Sequence, residues 1–258
     1  MRNKLLILLA GGLTLASCDA FKQAANQVAN EALTNAGAQP NLQKLTADEA
    51  SSGLKEALVQ GIMNGTGNLG KAGAFLNSSS LKIPLPPDVQ AVEKKIRDNR
   101  LLNSLIGGEL DKAVVAMNTG AEKSMALATP VFKKAIVDMS FTDAMKILTG
   151  GNGAATSYLK TSSESQLMQL FMPEVKKSLD AVELSKIWNP VVTQINKNKL
   201  ILGLNKNIEP DLNLYVTQKA TSALFSEIEN EENKIRKDPV SRSSDILKKA
   251  FDYADKNK

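Results

Sequence analysis

Apolar residues recur at helical spacing through nearly all of the chain after residue 45, and this periodicity constrains the fold more than any other feature. Ala50, Leu54 and Leu58 lie on one such stripe, and a second long stripe runs from residue 212 to residue 235. No stretch shows the sustained alternation of apolar and polar residues that is typical of a half-buried strand. The sequence therefore predicts an all-α fold, a single multi-helix domain of about eight to ten helices.

Short motifs mark where several helices should begin. Residues 46–49 and 161–164 both read Thr-x-x-Glu, the capping box that starts a helix. Thr129 and Pro130 predict that one helix ends near residue 128 and that another begins at the proline. Ser244 predicts the start of the last helix. We therefore expect separate helices on either side of Pro130 and on either side of residue 161.

Residues 1–18 have the form of a secretory signal peptide. Two basic residues precede an apolar run, 5–15, that is too short to span a bilayer, and small residues then precede Cys18, the only cysteine. Residues 15–18, Leu-Ala-Ser-Cys, resemble the lipobox of bacterial lipoproteins. That resemblance implies cleavage after residue 17, and a diacylglycerol and an acyl chain such as palmitate on Cys18. The alternative is a short buried helix with an inert cysteine.

These features predict how the chain is organised and where it resides. We expect a signal peptide at 1–17, a lipidated flexible tether at 18–45, the helical domain at 46–252 and a charged tail at 253–258. The lipid would anchor the protein to a membrane of the bacterial cell envelope, facing the periplasm. The outer membrane is favoured over the inner membrane.

The composition argues against several classes of function. Histidine is absent, so the chain cannot form a Ser-His-Asp triad, a Cys-His dyad or a His-ligated zinc site, and we predict no metal site and no catalytic residue. The formal net charge is only +5, and aromatic residues make up 4% of the chain. Because nucleic-acid surfaces need clustered basic residues, often with stacking aromatics, we do not expect a nucleic-acid partner.

Residues 65–71, Gly-Thr-Gly-Asn-Leu-Gly-Lys, match a dinucleotide-binding pattern and lie one residue short of a phosphate-binding loop. Both motifs must follow a strand, whereas the preceding residues have helical periodicity. We therefore interpret this segment as a glycine-rich helix end and expect no nucleotide. Two Ser-x-x-Lys matches, at 52–55 and 79–82, lack the other motifs of the penicillin-recognising enzymes.

Three polar residues fall on apolar stripes. Asn118 and Glu122 lie four residues apart on one stripe, and Glu231 comes seven residues after Leu224 on another. They are the candidate residues for a polar pocket inside the domain; the alternative is a buried pair that fixes helix register, because a buried carboxylate needs a partner. Glu232 and Arg236 have the spacing of a surface helix pair.

Several segments together resemble a bacterial family, domain of unknown function 4197. The likeness lies in their order and spacing, and it runs from about residue 46 to residue 251. It implies an exported, mostly helical protein, often a lipoprotein, with no assigned activity. The segments are 52–58, 83–86, 117–118, 121–122, 148–151, 154–158, 215–220, 231–232, 235–236, 239 and 247–251.

Two functional hypotheses follow. The first is a lipid-anchored, non-enzymatic binding or interaction module whose partner is an envelope protein or an apolar ligand, with no cofactor beyond the covalent lipid. The alternative is a carboxylate-dependent envelope enzyme, a hydrolase, centred on Glu122 and Glu231. Carboxylates that converge in an open cleft would favour the enzyme, whereas a filled core with one apolar groove would favour binding.

Overall fold

The computed structural model describes residues 45–209 and 211–257. Within these ranges the chain forms ten α-helical elements and no β-strand, in one compact domain, so the all-α prediction is confirmed. The signal peptide, Cys18 and the tether up to residue 44 lie outside the described residues.

Besides the α-helices, the described residues form two short turns of other helix types. Asn103–Gly107 is a π-helical turn, and Pro239–Ser241 is a 3-10 turn. The α-helices are α1 (Ala47–Leu69), α2 (Pro87–Asp98), α3 (Arg100–Leu102), α4 (Gly108–Asp138), α5 (Ala144–Leu148), α6 (Ala154–Ala181), α7 (Leu184–Lys197), α8 (Lys199–Leu202), α9 (Asn213–Lys237) and α10 (Asp245–Lys256).

The four longest helices form a ring around the core. Helix α1 packs against α4, α4 against α6, α6 against α9, and α9 returns to α1. Inside the ring, the Phe132 ring meets the rings of Phe171 and Phe225 edge-on at 5.9 and 6.0 Å between centroids. Helices α5 and α10 cover α1, and α7 covers α4. None of the helices in the described residues is long and apolar enough to cross a membrane.

The structure corrects the prediction that one helix ends near Thr129 and another begins at Pro130. It runs unbroken from Gly108 to Asp138 with Pro130 inside it. A proline in a helix interior lacks the N–H that the preceding turn would accept, which usually ends the helix. Here Phe132 and Ile136 continue the stripe of fully buried side chains beyond the proline, and their burial offsets the lost hydrogen bond.

The structure also corrects the prediction that a new helix begins at residue 161. The helix already begins at Ala154 and continues to Ala181, with Pro173 inside it. The Thr161 hydroxyl donates to the Ser157 carbonyl at 2.9 Å, a bond made within a helix, instead of capping a new one. The motif was therefore a chance match within a longer stripe.

Other helix boundaries agree with the sequence patterns. At the start of α1, Thr46 and Glu49 form the expected capping box, with N···O distances of 3.2 and 3.0 Å. The Ser244 hydroxyl accepts from the Leu247 N–H at the start of α10. Helix α10 continues to Lys256 and buries Ala254, so most of the segment expected as a charged tail is helical.

Glycines let α1 lie unusually close to its neighbours. A Cβ added at Gly53 would lie 2.5 Å from the Cβ of Ala250, and one at Gly61 would lie 3.1 Å from the Cα of Ile228. Real Cβ atoms essentially never approach as closely as 2.5 Å, so α10 could not pack at this distance against a larger residue at position 53, and at position 61 a larger residue would push the α9 backbone away by a few tenths of an ångström. The glycines therefore set the spacing between α1 and the last two long helices.

Candidate functional site: polar anchors and a surface groove

Asn118 lies on α4 and is completely buried. Its Oδ1 accepts from the Ile83 N–H at 2.8 Å, and its Nδ2 donates to the Ile83 carbonyl at 2.8 Å and to the Val114 carbonyl at 2.7 Å. The side chain thus pairs with the backbone of Ile83 as a neighbouring strand would. Asn118 holds the extended connection between α1 and α2 against α4.

Glu122 lies one turn further along α4 and is 7% exposed. Its Oε1 accepts from the N–H groups of Phe75 and Leu76, at 3.1 and 3.5 Å. Charge-assisted bonds of this kind are stronger than those between neutral groups. Glu122 and Asn118 therefore hold the same connection at two points.

Glu231 makes its contacts elsewhere. Its side chain, 12% exposed, accepts a hydrogen bond from Gln60 of α1 at 2.8 Å, and the Lys234 ammonium lies 3.9 Å away. Gln60 also donates to the Ser241 carbonyl. Of the three predicted pocket residues, the structure brings Asn118 and Glu122 to one segment, while Glu231 joins α9 to α1.

Glu232 and Arg236 were expected on the surface, and that prediction was wrong. Their side chains are 0% and 3% exposed, and a guanidinium nitrogen lies 2.8 Å from the carboxylate. The carboxylate accepts from the N–H groups of Ala155 and Thr156 at 3.0 and 2.8 Å, and from the Thr156 hydroxyl at 2.7 Å. Glu232 therefore satisfies the first free amides of α6.

Arg236 serves the opposite end of the same connection. Its guanidinium donates to the carbonyls of Leu148 at 2.8 Å, Gly150 at 3.1 Å and Ile147 at 3.2 Å, at the end of α5. Glu232 and Arg236, which both lie on α9, therefore hold the connection between α5 and α6 at both of its ends. One sequence signal existed: Glu232 comes four residues after Ile228 and three before Ile235, which are both buried.

A groove of about 650 Å³ lies between the second half of α4 and α6. Residues on adjacent turns line it, because positions four apart share a helix face. Its α4 and connecting side consists of Pro130, Val131, Lys134, Ala135, Asp138, Met139 and Ser140, and its α6 side of Tyr158, Ser162, Ser163, Gln166 and Leu170.

The groove combines an apolar floor with a polar rim. Val131, Ala135 and Met139 are half-buried along one side, whereas Leu170 is 51% exposed at one end. At the other end the Tyr158 hydroxyl donates to the Ser140 carbonyl at 3.0 Å. Ligand sites usually have this volume and this combination of surfaces.

A second groove, about 490 Å³, lies between α1 and α4 and is the one that Glu122 borders. The Thr66 and Thr129 hydroxyls face each other there at 2.9 Å. Within the part of the chain that the structure describes, no three acidic or cysteine side chains are grouped as metal ligands.

A family model described as "Protein of unknown function (DUF4197)" matches residues 44–252. The chain belongs to the DUF4197 family. No curated protein and no solved structure matches this DUF4197 chain.

In this DUF4197 protein, segments that carry the family likeness hydrogen-bond to one another. The Tyr215 hydroxyl donates to the Pro84 carbonyl at 3.0 Å, Asn118 pairs with Ile83, and Arg236 binds the carbonyls that follow α5. These segments therefore build the connections of the fold. Most of the residues that line the α4–α6 groove, Ser162 among them, lie outside those segments.

Proposed function

We propose that this DUF4197 protein is a lipid-anchored envelope protein that acts as a non-enzymatic binding module. The observation that carries the proposal is the α4–α6 groove, whose volume of about 650 Å³ is sufficient for a ligand. The ligand is an elongated apolar molecule, such as the acyl chain of a lipid, with a polar group that reaches the rim.

The shape of the groove supports an elongated ligand. Along α6 it extends from Tyr158 to Leu170, which corresponds to about 18 Å of helix at 1.5 Å per residue. Lys134 and Asp138 on the rim are paired at 2.6 Å, so they offer no net charge to the ligand. Binding would therefore depend on the apolar floor, with hydrogen bonds between the ligand and rim groups: the Ser162 hydroxyl, which donates to the Tyr158 carbonyl, can accept, and the Gln166 amide can donate or accept.

The carboxylates support a binding module over the hydrolase. The carboxylates of Glu122 and Glu232 accept hydrogen bonds from backbone N–H groups, and the carboxylate of Glu231 accepts one from the Gln60 side chain. Their partners lie on different parts of the fold: the α1–α2 connection for Glu122, the start of α6 for Glu232 and the middle of α1 for Glu231. A carboxylate hydrolase, in contrast, needs two carboxyl groups that face one substrate. The open groove between α4 and α6 has Asp138 as its one lining carboxylate, and Lys134 is paired with it.

The lipid anchor is supported by the lipobox at residues 15–18 and by the family likeness. Replacing Cys18→Ser in the native host should abolish incorporation of labelled palmitate and release the protein from the membrane fraction. A variant that is labelled and sediments like the wild type would contradict the anchor. This outcome is separate from ligand binding, which the groove alone determines.

Ligand binding can be tested with a dansylated fatty acid as a fluorescent probe. The protein should bind it saturably, and Ser162→Trp should reduce affinity at least about tenfold because the indole would fill the groove. Ser157→Trp is the matched control, since Ser157 is an exposed serine of α6 that does not line the groove. Equal binding by both variants, with unchanged circular dichroism, would overturn the proposal.

A further inference from the structure

Three short helical turns expose four large aliphatic side chains. Leu101 and Leu105, in α3 and the π-helical turn, are 68% and 51% exposed, and Leu200 and Ile201 of α8 are 86% and 71% exposed. We refer to these four residues as the leucine tip. Single exposed aliphatic residues are common on protein surfaces. Four of them on three short turns that pack against the same helix are a more concentrated apolar surface.

All three turns pack against α2. The Lys95 ammonium of α2 donates to the Leu202 carbonyl at 2.8 Å, which places α8 beside the last turn of α2. Helix α3 begins directly after α2, and the π-helical turn packs against α2 as well. The exposed pairs therefore belong to one end of the domain.

Each turn is held by a buried neighbour. Leu102 and Ile106 are buried next to Leu101 and Leu105, and Leu202 is buried next to Ile201. Gly203 follows with a positive φ of 77°, which ends α8 and turns the chain back. The exposed side chains are thus presented by anchored backbone, and they project outward because their neighbours take the inward positions.

Basic residues surround the leucine tip. The exposed ones are Lys94, Lys95, Arg100 and Lys197, and Lys199 is half-buried.

The acidic residues near the leucine tip already form ion pairs. Asp98 is paired with Lys94 at 2.6 Å, and Glu93 and Asp111 are both paired with Arg97 at 2.8 Å. Glu109 is paired with Lys112 at 2.7 Å. Arg100 and Lys197 form no ion pair with another described residue, so the rim is net positive.

We infer that the leucine tip is a membrane-contact surface that inserts its aliphatic side chains into the headgroup region of an anionic phospholipid bilayer. Moving the protruding aliphatic side chains from water into the bilayer is favourable in free energy, and the basic residues around them attract anionic headgroups. The inference depends neither on the α4–α6 groove nor on acylation of Cys18. It would orient the domain on the membrane.

Sedimentation with vesicles tests the inference. The chain from residue 19 onward, which lacks both the signal peptide and the cysteine that would be acylated, should bind vesicles of phosphatidylcholine mixed with phosphatidylglycerol more tightly than vesicles of phosphatidylcholine alone. Leu200→Asn/Ile201→Asn should reduce binding to the anionic vesicles by about tenfold or more. Leu214→Asn/Val240→Asn is the matched control, because these aliphatic residues are 53% and 91% exposed outside the tip.

A fluorescence measurement separates insertion from attraction. The chain from residue 19 onward has no cysteine, so Ile201→Cys can carry a single environment-sensitive fluorophore. Its emission should shift to the blue on anionic vesicles, whereas a fluorophore at Leu214→Cys should not shift. Equal vesicle binding by the tip and control variants, or no blue shift at position 201, would overturn the inference. Loss of self-association in the tip variant, without any change in vesicle binding, would instead identify a protein interface.

Discussion

The carboxylate of Glu232 and the guanidinium of Arg236 meet at 2.8 Å inside the domain, between the end of α5 and the beginning of α6. Each group also binds backbone that the other does not reach, the amides of α6 for Glu232 and the carbonyls after α5 for Arg236. The guanidinium further lies over the Phe251 ring of α10, 5.4 Å from its centroid. One turn of α9 thereby connects three other helices.

Arg236→Met should be strongly destabilising. It leaves a buried carboxylate and the carbonyls of Leu148 and Gly150 without their partner, and breaking a buried pair in this way costs about 3–5 kcal/mol. Urea unfolding followed by circular dichroism measures the change. The control is Lys94→Met, which removes a surface pair with Asp98 and should cost less than about 1 kcal/mol. Similar losses in the two variants would contradict this assignment.

Asn118→Ala should loosen the connection between α1 and α2. The Ile83 N–H would lose its buried acceptor, and leaving such a donor unsatisfied costs about 1–3 kcal/mol. Hydrogen exchange at the Ile83 amide should accelerate more than exchange in α6. Thr119→Ala alters the next residue of α4 and should leave the Ile83 amide protected. An unchanged Ile83 exchange rate in Asn118→Ala would show that the side chain does not hold this segment.

Two glycines of α1 should respond to alanine with opposite signs. Gly53→Ala would bring a Cβ within 2.5 Å of the Ala250 Cβ, and the overpacking should destabilise by about 1–3 kcal/mol. A Cβ at Gly67 would meet nothing within 4 Å, so Gly67→Ala should stabilise by about 0.5–1 kcal/mol through helix propensity. Thermal melting of both variants provides the measurement. Destabilisation of equal size in both would refute the close approach of α1 and α10.

The pKa of Glu49 should depend on Lys249. The Lys249 ammonium, 2.5 Å from the carboxylate, lowers the pKa of Glu49, and the Thr46 N–H adds to this effect. Because the folded-state pKa is the lower one, the stabilisation is present above the ordinary glutamate pKa and is lost as the pH falls through the folded-state value. Lys249→Met should raise the Glu49 pKa in a carboxyl NMR titration, whereas the control Lys248→Met should not.

Glu231→Gln should have little effect on stability or on ligand binding. A glutamine can still accept from Gln60, so we expect a loss below about 1 kcal/mol in urea unfolding. Since Glu231 does not line the α4–α6 groove, affinity for the dansylated fatty acid should stay the same. A large loss of affinity without loss of stability would return Glu231 to the list of site residues.

The helical class and the inward positions of Asn118 and Glu122 could be predicted because apolar spacing reports which face of a helix is buried. Thr129 and Thr161 were misinterpreted because a capping motif is a local pattern, whereas helix continuation depends on tertiary burial. Phe132 lies beyond the proline and is buried by Phe171 and Phe225, contacts that no local pattern reveals.

The error at Glu232 has a different origin. Spacing was compatible with either carboxylate facing inward, because Glu231 lies seven residues after Leu224 and Glu232 lies four residues after Ile228. Near its end, however, α9 packs against the connection between α5 and α6, and that contact shifts its buried face toward Glu232 and Arg236. The groove could not be predicted either, since it results from small side chains on two helices that the sequence patterns had divided.

The packing of α1 determines when the domain can fold during synthesis. Its main partners include α9 and α10, which are synthesised long after it, and Glu49 bonds to Lys249, 200 residues further along the chain. Until those helices have been synthesised, the apolar side chains of α1 can be buried only in part. Contacts between such distant segments form late, because closing a long loop costs entropy first. A chain emerging from the ribosome therefore cannot complete the packing of α1 until α10 has been synthesised, and a truncation that removes α10 should affect α1 most.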